Sequence, residues 1–386
     1  MSPKLVFYVI QLFEGFGMGS FFPIYTPWLE LHGLNFFKMG AVNFFYHIST
    51  SVLDPFTGFI ADKFGKRKTF IVGQILWTTT QYIYGASSQI TGFLLAEGIA
   101  AIGNSLKSDA LESWLQNRLG EKESSLVMGK SRSLFTIGQI ITSVLAGYIS
   151  VRFGMNVAWY VSGTFFLIAT ILGSIVLIMA GDDLLKVNEE LETTPNVNIR
   201  QIFSLAITNK KIVSTALLVA LYSFATKPMF MFWPQIVSSL NMPDAVRGWS
   251  ILFMSVPVMI GSLFAGHNRF FTRNVEGLIK VILVIGLGLI ISAFAKNLIW
   301  FFVGLTVVEF AYGAINIITY GYLFNEVHPK HRSTVNSMIS SAKTIGGAIS
   351  LLVMGEIADL FTPQISIAVG GTLILLILLF YVKSKK

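Results

Sequence analysis

The sequence predicts an all-α membrane protein, with twelve transmembrane helices arranged as two six-helix pseudo-repeat bundles. Three observations predict it. Hydrophobic residues make up 53% of the chain and charged residues only 12%, about half the charged share of a water-soluble domain. Twelve stretches reach or approach the roughly 20 apolar residues that a helix needs to cross a bilayer. The chain also repeats itself across its two halves. In lipid each backbone polar group must be satisfied internally, which favours helices, and the alternating ten-residue pattern of a membrane barrel is absent.

In chain order the predicted spans are 5–29, 37–61, 69–88, 92–115, 127–151 and 157–180, then 212–240, 247–265, 278–295, 299–324, 334–360 and 365–382. The start, Met1-Ser2-Pro3-Lys4, runs into an apolar stretch without a small-residue cleavage site. It reads as a retained first helix, not a signal peptide. An even number of spans puts both termini on one side. Lys4, Lys383, Lys385 and Lys386 assign that side to the cytoplasm, because basic residues stay inside. The net charge of +8 follows the same rule. Its bases concentrate in alternate loops, so it points to the bilayer of an inner or plasma membrane and away from nucleic acid.

Between the sixth and seventh spans the chain turns polar, with Asp182, Asp183, Glu189, Glu190 and Glu192 followed by Thr193-Thr194-Pro195-Asn196. The predicted organisation is an N-terminal bundle over 1–181, a cytoplasmic linker over 182–210 and a C-terminal bundle over 211–386. The bundles align as a repeat. Residues 115–154 lie on 323–362 at a constant shift without a gap. Asn117 meets Asn325, Ser133 meets Ser341, Thr136-Ile137-Gly138 meets Thr344-Ile345-Gly346, and Gly147 meets Gly355. The same shift carries Gly40 onto Gly248 and Gly58 onto Gly266.

The most informative stretch links the second and third spans: Gly58-Phe59-Ile60-Ala61-Asp62-Lys63-Phe64-Gly65-Lys66-Arg67-Lys68. The first glycine permits close helix approach, and the second can take the positive φ of a sharp turn. This stretch resembles the signature of the major facilitator superfamily, a Gly-x-x-x-Asp-(Arg/Lys)-x-Gly run with a basic triplet. The resemblance implies two bundles related by an axis along the membrane normal, with a substrate path between them near the midplane. It implies that Asp62 faces a helix N-terminus, where the dipole favours a negative charge. Gly58, Asp62, Lys63, Gly65 and Arg67 then belong to a cytoplasmic gate. In the equivalent loop of the second half, Gly266-His267-Asn268-Arg269, the acid is missing. The end of the fourth span, Asn104-Ser105-Leu106-Lys107-Ser108-Asp109-Ala110-Leu111-Glu112-Ser113-Trp114-Leu115, resembles the same region of bacterial drug-efflux members. By that resemblance Asp109 and Glu112 pair with bases such as Arg67 and Arg132. The Gly-x-x-x-Gly-Pro-x-x-Gly-Gly run of drug/proton antiporters is absent from the fifth span, which reads Gly138-Gln139-Ile140-Ile141-Thr142-Ser143-Val144-Leu145-Ala146-Gly147.

Ionisable residues inside the spans are the candidates for function, because each is costly there unless paired, hydrated or neutral. Glu14 sits mid-span between Phe13 and Gly15. His47 and Asp54 share a face seven residues apart. Glu97 heads a stripe with Asn104. In the second half Glu309, Tyr312 and Asn316 form another stripe. Lys227 precedes Pro228, with Tyr222 and Trp233 nearby, and Lys343 lies on a small, polar face. The functional reading gives proton coupling to Glu14, Glu97 and Asp54. It lines a water-filled cavity with His47, Asn104, Tyr222, Lys227, Trp233, Glu309, Tyr312, Asn316 and Lys343. The bland reading locks each charge in a structural ion pair or hydrogen bond. Pro23 and Pro27, like Pro228 and Pro234 in the other half, predict paired kinks.

Other chemistries fail. The chain has no cysteine, which removes disulfides, thiolate metal sites and thiol nucleophiles. It has no Gly-x-x-x-x-Gly-Lys-(Ser/Thr), His-Glu-x-x-His or Gly-x-Ser-x-Gly run, and so no sign of ATP use, a zinc protease or a serine hydrolase. No enzyme, metal or cofactor is expected. The expected function is secondary transport by alternating access: proton-coupled export of a small amphipathic molecule by a monomer in a lipid bilayer. Two alternatives stand beside it. One is a proton-coupled symporter or exchanger of an organic anion held by Lys227 and Lys343. The other is a receptor or scaffold on the same fold.

Overall fold

A computed structural model describes residues 3–64, 66–107, 110–179, 209–267, 275–327 and 332–383. The described residues are helical almost throughout and contain no strand. In chain order the helices are α1 (Pro3–Phe21), α2 (Tyr25–Leu31), α3 (Phe36–Phe64), α4 (Lys66–Ala86), α5 (Ile90–Lys107), α6 (Ala110–Leu119), α7 (Glu121–Phe153) and α8 (Met155–Met179). There follow α9 (Lys210–Ser239), α10 (Ser250–His267), α11 (Val275–Ala293), α12 (Leu298–Glu326), α13 (Arg332–Leu360) and α14 (Pro363–Lys383). Eight of the described helical stretches are long and apolar enough to cross a membrane by composition alone. Large side chains such as Ile75, Leu95, Leu145, Leu217, Leu263 and Ile299 are exposed on their outer faces. Lipid tails are the solvent in which that exposure costs nothing.

Three predicted spans are described as more than one helical element. In the first, a short 3-10 turn, Phe22–Ile24, separates α1 from α2. Pro23 sits in the first turn of that element, where no N–H donor is needed. In the eighth, a 3-10 stretch, Asp244–Trp249, precedes α10. The fourth span, expected to run unbroken over 92–115, is described as α5 to Lys107 and then α6 from Ala110. Most of the expected linker, and with it the boundary at 181, lies outside the described residues.

By contact the chain divides into two compact units. The first is Met1–Leu34, Phe45–Pro195 and Pro243–Ile251; the second is Asn35–Phe44, Asn196–Met242 and Leu252–Lys386. Inside the first, α1 packs on α7 and α8, and α4 on α5 and α8. Inside the second, α9 packs on α13 and α14, and α11 on α12 and α14.

The repeat read from sequence reappears in these contacts. A Cβ on Gly138 would come within 2.7 Å of the Leu12 carbonyl, and one on its counterpart Gly346 within 2.5 Å of the Ala220 carbonyl. Thr142 Oγ1 donates to the Phe16 carbonyl, and Ser350 Oγ to the Phe224 carbonyl. Gly248 abuts the Ser143 carbonyl within the first unit, and Gly40 the Leu351 carbonyl within the second. Each pair is related by the shift that carries Gly40 onto Gly248. The helices meet main chain to main chain at these points, and any side chain would force them apart.

Pro228 and Pro234 lie inside α9, which nevertheless continues for 30 residues. Proline at 228 removes the N–H that would serve the carbonyl four residues earlier. That carbonyl belongs to Phe224, and it receives the Ser350 hydroxyl at 2.5 Å. The freed acceptor is satisfied from α13, and α9 stays helical through both prolines, whereas a 3-10 turn interrupts the first span.

Candidate functional site

The first unit contains a cavity of about 390 Å3, bordered by α1, α3, α4, α5, α6, α7 and α8. Its wall is aromatic, with Phe7, Tyr46, Phe70, Trp77, Phe135 and Phe166. Phe7, Phe70 and Leu111 belong to a buried apolar cluster with Val6, Ile10, Leu115 and Val127. Into this wall are set the polar groups Gln11, Glu14, Asn104, Lys107, Glu112 and Arg132.

Glu14 is held in the cavity by three side chains. Gln11, one turn earlier on α1, donates from Nε2 to its Oε2 at 2.9 Å. Gln74 of α4, itself fully buried, donates to Oε1 at 2.6 Å. The Lys107 ammonium lies 3.8 Å from the same oxygen, with side-chain exposures of 19% for Lys107 and 12% for Glu14. It also stands 4.6 Å from the centre of the Trp77 ring. An ammonium at 3.8 Å attracts a carboxylate without the short charge-assisted bond of direct contact. The carboxylate is thus oriented by amides and neutralised by a cation that is shared with an aromatic face.

Glu97 sits elsewhere in the same unit. It is 6% exposed and is not among the residues bordering this cavity. Its Oε1 accepts Tyr25 Oη at 2.7 Å and Tyr84 Oη at 2.5 Å. Tyr84 stacks on Trp159 at 4.4 Å between centroids, and Trp28 Nε1 donates to the Tyr84 carbonyl. The two carboxylates therefore have separate surroundings. His47 is half-buried on α3 with its ring against Tyr46. Glu112 and Arg132 both border the Glu14 cavity, and the Arg132 guanidinium lies over Phe135. Gly65 and Asp109 lie outside the described residues, as do the side chains of Asp54, Asp62, Lys63 and Arg67. Gly58 falls within α3.

The second unit gathers a different set. Lys343 of α13 donates to the Tyr312 hydroxyl of α12 at 3.1 Å and lies over the rings of Tyr312 and Tyr222. Lys227 of α9 runs beside Gly347 of α13. Trp233 is buried in α9, and Glu309 is 4% exposed on α12. Asn316, further along that helix, is exposed.

The sequence reading did not single out Gln11, Gln74 or Tyr46 at the cavity, nor Tyr25 and Tyr84 at Glu97. Gln11 carried a signal in its spacing of three from Glu14, which puts both on one helix face. Gln74, Tyr25 and Tyr84 reach their carboxylates from other helices, and no local pattern marks that. Among the described residues no cluster of His, Asp or Glu has the makings of a metal site.

Comparison with known proteins agrees with this architecture. Residues 7–351 match the family model described as the Major Facilitator Superfamily. Multidrug resistance protein 2 of Bacillus subtilis is 23% identical over 177 residues, which is 45% of this chain and 44% of that protein. Quinolone resistance protein NorA of Staphylococcus aureus is 21% identical over 174 residues, 45% of this chain and 44% of the relative. The chain thus matches less than half the length of these two curated relatives. The uncharacterized MFS-type transporter MJ1560 of Methanocaldococcus jannaschii is 18% identical over 373 residues, covering 92% of both. Among solved structures, nucleoside transporter NupG is similar with a TM-score of 0.80 at 15% identity over 100% of both chains. The POT family transporter PepTSo has a TM-score of 0.72 at 14% identity, over 99% of this chain and 98% of that one. At such identities the likeness is one of fold. With the helical order, the repeat and a family match over most of its length in agreement, the chain belongs to the Major Facilitator Superfamily.

Proposed function

We propose that this protein is a secondary transporter that exports a small amphipathic molecule by alternating access, in exchange for protons carried by Glu14. The observation that carries the reading is the Glu14 cavity: a carboxylate held by two amides and one lysine, in a wall that includes six aromatic rings. When Glu14 is ionised, Lys107 and both amides hold it. When it takes a proton, the attraction to Lys107 is lost and the ammonium is released to the Trp77 face. One proton thus changes both the charge and the shape of the cavity. The aromatic wall suits a flat apolar cargo. Export of an amphipathic cargo follows from the resemblance to drug-efflux members, and similarity to Multidrug resistance protein 2 and Quinolone resistance protein NorA supports it.

Glu97 is the second proton-carrying candidate, held by its two tyrosines. Asp54 stands with it on sequence grounds alone. The gate assigned to Gly58, Asp62, Lys63, Gly65, Arg67 and Asp109 also rests on the loop signature, with Glu112 and Arg132 at the edge of the Glu14 cavity.

The test is dye transport in proteoliposomes under an imposed pH gradient, with ethidium as the cargo probe. The wild type is expected to move ethidium only with the gradient, and Glu14→Gln to lose that dependence. A Glu14→Gln protein that transports with unaltered pH dependence sinks the assignment.

A further inference from the structure

We propose that Gln74 is a positioning residue for the proton of Glu14. Its amide turns over when the acid gains or loses that proton, so one side chain holds both forms. The assignment rests on the proton role proposed for Glu14.

Each of the three side chains that hold Glu14 offers it donors. Gln11 and Gln74 donate from their amide nitrogens, and the Lys107 ammonium has no lone pair to give. That company suits an ionised carboxylate, which only accepts. A protonated Glu14 has an O–H to place, and a buried O–H needs an acceptor. The other charged groups at this cavity are Glu112 of α6 and Arg132 of α7, and α3 adds the titratable Tyr46; α4 and α8 bring no charge to it.

The far end of the Gln74 amide supplies the acceptor. Gln74 is fully buried, and among the described residues its Oε1 is shielded from solvent without a hydrogen-bond partner. The bond to Glu14 alone therefore orients the amide. The oxygen and nitrogen of a carboxamide are close in size, and the last torsion of glutamine has two wells half a turn apart. A half-turn puts Oε1 where Nε2 stands, 2.6 Å from Glu14 Oε1. That separation is short for N–H···O and falls within the range of O–H···O. A neutral Glu14 can donate to the turned amide with the backbone at rest. One proton then reverses a bond instead of breaking it, and α1 stays tied to α4 in both forms of the acid.

Gln81, two turns along α4, shows the contrast. Its nitrogen donates to the Trp77 carbonyl and its oxygen accepts from Ser162 Oγ, each at 3.4 Å. Both ends are tied, so that amide keeps one direction. Gln11 is half-buried and borders the cavity, so its amide is not sealed against Glu14 as Gln74 is.

The experiment is infrared difference spectroscopy between high and low pH. The protein, isotope-labelled at the glutamine side-chain carbonyl, is held in phosphatidylcholine liposomes. The carboxylic acid band of Glu14 is identified by its loss in Glu14→Gln. In the wild type a glutamine carbonyl band is expected to shift together with that acid band, and to stay still in Glu14→Gln. In Gln74→Met the acid band should move to higher frequency, because its O–H has lost the acceptor, and the glutamine shift should vanish. Gln81→Met should leave both bands as in the wild type. If Glu14→Gln removes no acid band, the proton role of Glu14 falls and that of Gln74 with it. If the Glu14 band is present while the wild-type glutamine band is unmoved, the turnover alone is overturned, and that result needs no Gln74 variant. An acid band left unchanged in a folded Gln74→Met overturns it as well.

Discussion

Glu14 shows how much of a transporter's chemistry is decided by three neighbours. Gln11 and Gln74 fix the carboxylate, and Lys107 stands between it and Trp77. A positively charged cargo would compete with Lys107 for both the acid and the ring. Lys107→Met is therefore expected to lower the apparent KM for ethidium several-fold, and Glu14→Gln to raise it, both read from initial transport rates. At Glu97 the expected effect is on stability. Tyr84→Phe removes one of two donors to a buried carboxylate and should cost about 1–3 kcal/mol, measured by thermal unfolding in detergent. The acids themselves were legible in sequence, because a charge in an apolar run is conspicuous. Their partners were not: Gln74 and Tyr84 come from another helix, and only the fold brings them near.

At the scale of the helix, the apolar runs marked the spans. Pro228 and Pro234 lie inside α9, which stays helical through both. The Ser350 hydroxyl, which no local pattern marks, serves the carbonyl that Pro228 leaves open. Ser350→Ala should cost about 1 kcal/mol or somewhat more, because it leaves a buried acceptor unmet. The glycine seams make a stronger prediction. Gly138→Val and Gly346→Val each drive a side chain into a carbonyl less than 3 Å away. Both should destabilise by several kcal/mol, as overpacking does in close-packed interiors. Gly129→Ala is the control, because nothing lies within 4 Å of its Cβ position. Unfolding midpoints of the three variants, measured side by side, check the ordering.

For the molecule as a whole, the repeat was legible at single residues. Gly138 and Gly346, or Gly40 and Gly248, were matched by letter alone and proved to occupy equivalent contacts. The division into compact units was less legible. The stretch Pro243–Ile251 clusters with the first unit and Asn35–Phe44 with the second. A linear reading has no means of seeing that exchange. Orientation remains a prediction of the positive-inside pattern, and the chain is well suited to its test because it contains no cysteine. Single cysteines at Glu123 and Asn297 should react with an impermeant maleimide from the cytoplasmic and the outer side, respectively. The reverse pattern would invert the topology.

The seams inside each bundle carry a final consequence. Where Thr142 and Ser350 tie α7 to α1 and α13 to α9, the backbones touch with no intervening side chains to slide or re-seat. Such a pair has no second arrangement to snap into and can only travel whole, like a strut. Deuterium should therefore reach the amides of these four helices slowly, and at a rate that cargo, pH gradient and turnover leave alone, while the rest of the carrier flickers around them.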